Sequence, residues 1–321
     1  SDPVIARLIH ACLANRALVL MAAALLAAVG VWSVRNTPLD ALPDLSDTQV
    51  IVATEWMGRN PTLIEDQITY PVVTSFLGAP RVKTVRGFTM FGMSFVYVVF
   101  EEGTDLYWAR SRVVEYLSKV RERLPPGVNP QVGPDATSVG WVFQYALVDE
   151  AGAHSLQELR SLQDWHVRYA LQGVEGVAEV ASVGGFEKEY QVEIDPARMK
   201  SLGLSVGQVA SAIRTSNDET GGRVIEMAQH EYAVRGRGYV KSKEDIELAV
   251  VAARTDGTPI RIRAVANVVV GGNIRRGLVD LDGRGEVVGG IVVMRSGENA
   301  LNVINRVKAR IRELEASLPE G

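Results

Sequence analysis

Residues 290–321 read GIVVMRSGENALNVINRVKARIRELEASLPEG, and residues 96–127 read VYVVFEEGTDLYWARSRVVEYLSKVRERLPPG. The two stretches align without a gap at an offset of 194 residues, 290 against 96. Val98/Val292, Val99/Val293, Gly103/Gly297, Arg112/Arg306, Val113/Val307, Leu124/Leu318, Pro125/Pro319 and Gly127/Gly321 are identical. Each copy reads as a strand, a glycine turn, an amphipathic helix and an LPxG stop. Every break falls in register, so a duplicated α+β unit is expected. In the first copy VNPQVGP follows the stop as a candidate strand. The second copy stops at Gly321, and its partner strand is expected beyond that residue.

Strand-like and helix-like segments alternate around these copies. QVIVATEW (49–56) reads as a strand. NPTLIEDQITYPVVTSFL (60–77) reads as one helix, with Asn60 as N-cap and Pro61 at its first position. VFQYALVD (142–149) reads as a strand, and LQELRSLQDWHVRYAL (156–171) as a helix capped by Ser155. VAEVASV and EYQVEID read as further strands. VRGF (85–88) is echoed by VGGF (183–186). From about 184 to 273 the pattern changes: the helix SVGQVASAIRTSN (205–217), HEYAVRGRG, a short helix near 242–248, and PIRIRAVANVVVGG (259–272). This stretch interrupts the second unit and reads as an inserted subdomain.

At the other end, Ala17 to Val34 runs ALVLMAAALLAAVGVWSV without a charge. Such a run makes about 27 Å of helix, close to the hydrocarbon thickness of a bilayer. A cleaved signal core is usually shorter and ends in small residues. This run ends in Trp32, Ser33, Val34 and Arg35, and Trp suits a membrane interface, so a transmembrane helix is expected. Arg7 and Arg16 precede it, which predicts a cytoplasmic N-terminus, with everything after about residue 37 outside. VIARLIHACL (4–13) places Val4, Ile5, Leu8, Ile9, Cys12 and Leu13 on one face, as a surface-lying amphipathic helix would. Cys12 is the single cysteine, so the exported part is expected to hold without disulfides.

The connector TPLDALPDLSDTQV (37–50) holds Asp40, Asp44 and Asp47, with Pro38 and Pro43 among them. A continuous helix would gather the three carboxylates, but Pro43 argues against one. A stiff connector is the expected reading, with attraction of cations to an entrance as the alternative. The formal net charge of −4 argues against nucleic acid as a partner. No GxxxxGK[ST] or HExxH motif occurs, and GLSVG (203–207) does not directly follow a strand as a nucleophile elbow does, so ATP-driven, acyl-transfer and zinc-protease chemistries find no support.

These motifs together resemble the heavy-metal efflux branch of the RND (resistance-nodulation-division) transporters. The likeness is carried by TPLDALPDLSDTQV, YPVVTSFLGAPRVKTVRGF, FEEGTDLYWARSRV, GPDATSVGW, LRSLQDW, VAEVASVGGFEKEYQVEIDP and IRRGLVDLDGRGEVVGGIVVMRSGENA. The DALPDLSD form is more similar to the copper/silver exporters than to the zinc/cobalt/cadmium ones. The resemblance implies an α+β fold: one N-terminal transmembrane helix, then repeated βαβ-type porter subdomains with an inserted docking subdomain. It implies 1–37 as amphipathic and transmembrane helices and 38–133 as the first porter subdomain. The second porter subdomain is then split into 134–183 and 274–321, and 184–273 is the N-terminal half of the docking subdomain. It further implies a homotrimer in the bacterial inner membrane that exports a metal ion against entering protons, with a periplasmic adaptor (membrane fusion protein) and an outer-membrane channel as partners. The principal metal ligands and the proton-relay acids are then expected outside this chain, which carries no cofactor of its own. A membrane-anchored periplasmic scaffold without transport activity is the competing reading.

Four residues stand as candidates. Met90 and Met93, in FTMFGMSF, carry soft thioethers suited to Cu(I) or Ag(I), with packing in a strand or turn as the alternative. Trp141 is a candidate cleft residue, otherwise core. Ile274 stands where copper/silver members can carry a cleft-facing methionine, and isoleucine cannot ligate a metal. His154, His166 and His230 are too far apart in sequence to suggest a cluster. Met227 precedes His230 by three residues, and a single strand would turn the two to opposite faces.

Overall fold

A computed structural model describes residues 3–37, 47–136, 139–227, 230–275 and 277–319. Helix α1 (Pro3–Ala14) breaks at Asn15, and α2 (Arg16–Asn36) follows. Its segment Arg16–Arg35 is long and apolar enough to cross a membrane, and none of it is buried against the rest of the chain. Helix backbone satisfies its own polar groups, and an all-round apolar surface finds its partner only in lipid or another apolar phase. Of the expected N-terminal stripe, the side chains through Leu8 lie outside the described residues, whereas Ile9, Cys12 and Leu13 are exposed. Pro38, Asp40, Pro43 and Asp44 of the connector likewise lie outside the described residues. Asp47 is described, and it accepts from Lys83 Nζ at 2.7 Å, a half-exposed surface pair of little energetic weight.

After the connector the chain forms β1 (Gln49–Glu55), α3 (Pro61–Ile64), α4 (Tyr70–Phe76), β2 (Val82–Met90), β3 (Met93–Phe100), α5 (Leu106–Val120) and the two-residue β4 (Gln131–Val132). The strands make an antiparallel sheet in the order β2-β3-β1-β4. The short β4 is the strand expected from VNPQVGP. Strict alternation in β1 and β3 turns Val50, Val52, Val96, Val98 and Phe100 to one face. There they bury against Ile64, Ile68, Val72 and Phe76 and against Ala109, Val113, Leu117 and Val120 from the helices. The helical set recurs at three- and four-residue spacing, so one stripe of each helix closes the core.

The next segments repeat that order with β5 (Trp141–Leu147), α6 (Leu156–Leu162), α7 (Arg168–Gln172) and β6 (Val177–Val183). The chain then departs through β7 (Lys188–Ile194), α8 (Pro196–Ser201), α9 (Val206–Ser216), β8 (Glu219–Met227), β9 (His230–Arg237), α10 (Lys243–Leu248), β10 (Val250–Ala253), β11 (Pro259–Arg261) and β12 (Ala266–Gly272). It returns as β13 (Val288–Met294) and α11 (Ala300–Glu315). β13 takes the central place in a sheet of order β5-β13-β6. The stretches matched at an offset of 194 thus fold as β3–α5 and β13–α11.

The first halves of the two units also correspond. Each helix is interrupted by a π-turn, Glu65–Thr69 between α3 and α4 and Gln163–Val167 between α6 and α7, 98 residues apart. The offset grows from 98 to 194, so the 96 residues of difference are inserted between β6 and β13. The sequence predicted uninterrupted helices over 60–77 and 156–171, and the π-turns correct both. Each wide turn carries a buried polar side chain aimed at a strand. Thr69 hydrogen-bonds Ser94 Oγ at 2.7 Å and Thr89 Oγ1 at 2.8 Å, and Gln163 Nε2 donates to Ser182 Oγ at 3.3 Å. A single inserted residue in the helical ladder is the usual origin of such a turn, and Pro71, lacking an N–H, weakens the ladder in the first helix.

Two compact units result, one from 1–145, 167–181 and 290–320, the other from 146–166 and 182–289. In the second, β7 pairs with β12, β8 with β9 and β10 with β11, all antiparallel. Ile246, Ile262 and Val268 form one small core there, and Met199, Val209 and Val265 another. Ser205 and Gln208 cap α9 reciprocally.

Candidate cleft-lining and metal-ligating residues

Strands β2 and β3 are joined by a two-residue turn, Phe91-Gly92, which sets Met90 directly opposite Met93. Gly92 has φ +74°, a conformation that suits glycine in a tight turn. Buried Ser94, Val96, Val98 and Phe100 occupy the core face of β3, so Met93 and its partner Met90 lie on the other face. The turn is fastened to the loop after β1: Trp56 N donates to Gly92 O at 2.8 Å, and Gly92 N donates to Arg59 O at 3.1 Å. That loop carries Met57, whose Sδ rests against the turn, 2.9 Å from where a Cβ on Gly92 would stand. Met90 and Met93 are thus brought together, and Met57, a residue the sequence reading did not single out, packs against the turn that joins their strands.

Trp141 begins β5 and is 65% exposed, so it is not a core residue. The segment before it is tied down through Asp135. Its Oδ2 accepts from Tyr107 Oη at 3.0 Å and faces Arg295 Nε at 3.6 Å, while its backbone O accepts from Ser296 N at 3.0 Å. Met294 N donates to Gly140 O at 2.7 Å. The hydrogen bond to Asp135, and next its negative charge, hold the Tyr107 phenol above the usual tyrosine range. A raised acid keeps its neutral, donating form below the ordinary pKa and loses it as pH rises through the raised one. The contact therefore persists across neutral pH and weakens only in alkali. With 13Cζ-tyrosine NMR, Tyr107 is expected to titrate above about pH 10, and Asp135→Asn is expected to lower that midpoint. An unchanged midpoint in the variant contradicts the contact.

Ile274, in the other unit, is 66% exposed on a segment fixed at both sides. Asn273 N donates to Glu187 O at 2.8 Å, and Ile274 N donates to Asn273 Oδ1 at 2.6 Å. Arg275 pairs with Glu286, and its guanidinium lies 5.2 Å from the centroid of the Phe186 ring. Gly272 permits that packing, since a Cβ there would meet the Phe186 side chain at 2.8 to 3.0 Å. An apolar side chain is thereby displayed from a braced backbone.

Met227 and His230 are register partners across the β8–β9 hairpin. The sequence expectation of opposite faces is corrected: the residues stand on different strands, and cross-strand partners share a face. Residues 228–229 lie outside the described residues. Among the described residues, no group of three or more His, Cys, Asp or Glu is arranged to hold a metal ion.

Residues 8–321 match the model of the AcrB/AcrD/AcrF family. The chain belongs to that family. Within it, the chain is 53% identical over 314 residues to the cation efflux system protein CusA of Escherichia coli strain K12, covering 98% of the chain and 30% of that protein. To the cobalt-zinc-cadmium resistance protein CzcA of Cupriavidus metallidurans it is 36% identical over 322 residues, again 98% of the chain and 30% of that protein. A crystal structure of a heavy metal efflux pump superposes with a TM-score of 0.85 at 31% identity, covering 97% of this chain and 31% of that one. The chain thus spans about three-tenths of the length of the relatives it matches.

One motif of this AcrB/AcrD/AcrF-family chain, LRSLQDW, turns out to be a structural clamp. Arg160 is 17% exposed and bonds Asp164 Oδ2 through Nε at 2.7 Å, with Asp164 14% exposed. Its Nη1 donates to Gly184 O at 2.8 Å, and its Nη2 lies 3.7 Å from Glu187. The Gly184-Gly185 turn it grips belongs to VGGF. Both glycines have positive φ, +74° and +61°. A Cβ on Gly184 would collide with Val287 O, and one on Gly185 would meet Val288 Cγ2 at 2.6 Å and Leu156 O at 3.0 Å.

Proposed function

We propose that the chain is the N-terminal part of an inner-membrane, proton-driven pump that exports Cu(I) or Ag(I). The observation that carries this is the 53% identity with a cation efflux system protein across nearly the whole chain. The 36% identity with a protein named for cobalt, zinc and cadmium resistance supports the copper/silver branch over that one. On this reading the chain enters from a cytoplasmic N-terminus through α2. Residues 38–133 are the first porter subdomain, and 134–183 with 274–321 form the second. Residues 184–273 are the docking half. The working assembly is a homotrimer joined by a periplasmic adaptor and an outer-membrane channel. Trp141 and Ile274 remain the candidate cleft residues, each an exposed apolar side chain in its own unit. Deleting the full-length gene is expected to sensitise cells to copper and silver salts, which a growth panel across copper, silver, zinc, cobalt and cadmium tests.

A further inference from the structure

We propose that Met57, Met90 and Met93 form a thioether site for one soft monovalent d10 cation, Cu(I) or Ag(I), at the tip of the β2–β3 hairpin. The chain has seven methionines. Met199 and Met294 are buried in cores, at 8% and 5% exposure. Met57 and Met90 are instead 39% and 50% exposed, and Met93 is half-buried. A thioether left half in water contributes little as a hydrophobe, so core packing does not account for three of them at one turn.

The placement is built by backbone. Register sets Met90 and Met93 opposite one another, with Cβ atoms about 5 Å apart in such pairs. Two hydrogen bonds between Gly92 and residues 56 and 59 fix the loop that carries Met57. The missing Cβ of Gly92 leaves the space that the Met57 sulfur fills. The backbone that carries the three side chains is therefore fixed before any ion arrives, which limits the ordering cost of binding. Neutral, polarisable sulfur suits a soft monovalent ion and disfavours Zn(II) or Mg(II). Glu55 lies directly opposite Met93 on β1, which sets a carboxylate beside the site to balance one positive charge.

Binding follows from the donors alone. Its use, a first contact for cargo on the exported face, rests on the efflux reading above. The test is therefore kept to binding. The 321-residue chain is labelled with 13C at the methionine methyls, held in detergent, and titrated with silver nitrate without chloride. The Met57, Met90 and Met93 resonances are expected to shift together and saturate at one Ag(I) per chain, while those of Met199 and Met294 stay fixed. Met90→Leu keeps the hairpin's apolar volume and is expected to weaken binding by at least about tenfold, as loss of a ligand does. Zn(II) is expected to shift none of the three. Three overturning results are possible: no concerted shift, an affinity unchanged in Met90→Leu, or an equal response to Zn(II). Loss of silver resistance on gene deletion, with no binding here, would leave the efflux reading standing and remove the site.

Discussion

Gly184→Ala is expected to cost about 4 kcal/mol, at the severe end for a single methyl. Two terms add. A non-glycine residue at φ +74° carries roughly 1–2 kcal/mol of steric strain. The new Cβ would also overlap Val287 O, a backbone atom that cannot rotate away. Gly257 is the internal control, because its φ is +84° but nothing lies within 4 Å of its would-be Cβ. Gly257→Ala should therefore show only the conformational strain, about 1 kcal/mol. Pulse proteolysis in urea reads both variants without assuming that the two units unfold together. Equal losses in the two would mean that the close approach to Val287 is wrong.

Arg160→Ala is expected to cost about 3–5 kcal/mol, the usual result of removing one partner of a buried ion pair. The loss is less of attraction than of compensation: Asp164 would remain 14% exposed with its charge unmatched. The Gly184 carbonyl would lose its donor as well. Arg160→Lys keeps the charge but not the fork that spans Asp164 and Gly184, so it should recover only part of the loss. Asp164→Asn with Arg160→Ala should be milder than Arg160→Ala alone, because the orphaned charge is gone. A double variant worse than the single would refute the clamp.

These two sites show where the sequence was informative. VGGF and LRSLQDW were visible as motifs, yet their partnership was not, because the guanidinium of Arg160 reaches a carbonyl 24 residues away. The β3–α5 and β13–α11 copies were legible, since apolar positions, turn glycines and LPxG stops all repeat at one offset. Of the corresponding first halves only the VRGF/VGGF echo was visible, 98 residues apart like the two π-turns. Their likeness otherwise rests on element order and on those π-turns, and a π-turn leaves no residue pattern that periodicity detects. A one-strand rule set Met227 and His230 apart, while the hairpin register sets them together. Met57 escaped notice because it lies in a loop 33 residues before Met90 and is placed by backbone hydrogen bonds. Trp141 and Ile274 could be named from the resemblance, but only the folded chain shows both exposed.

The central claim is that this chain opens a pump for soft monovalent metals. Its most direct test is growth of cells lacking the full-length gene, with and without that gene restored, on graded silver and zinc salts. The account predicts heightened sensitivity to silver, restored by the intact gene, with zinc tolerance unchanged. Sensitivity to zinc with silver tolerance unaltered would contradict it.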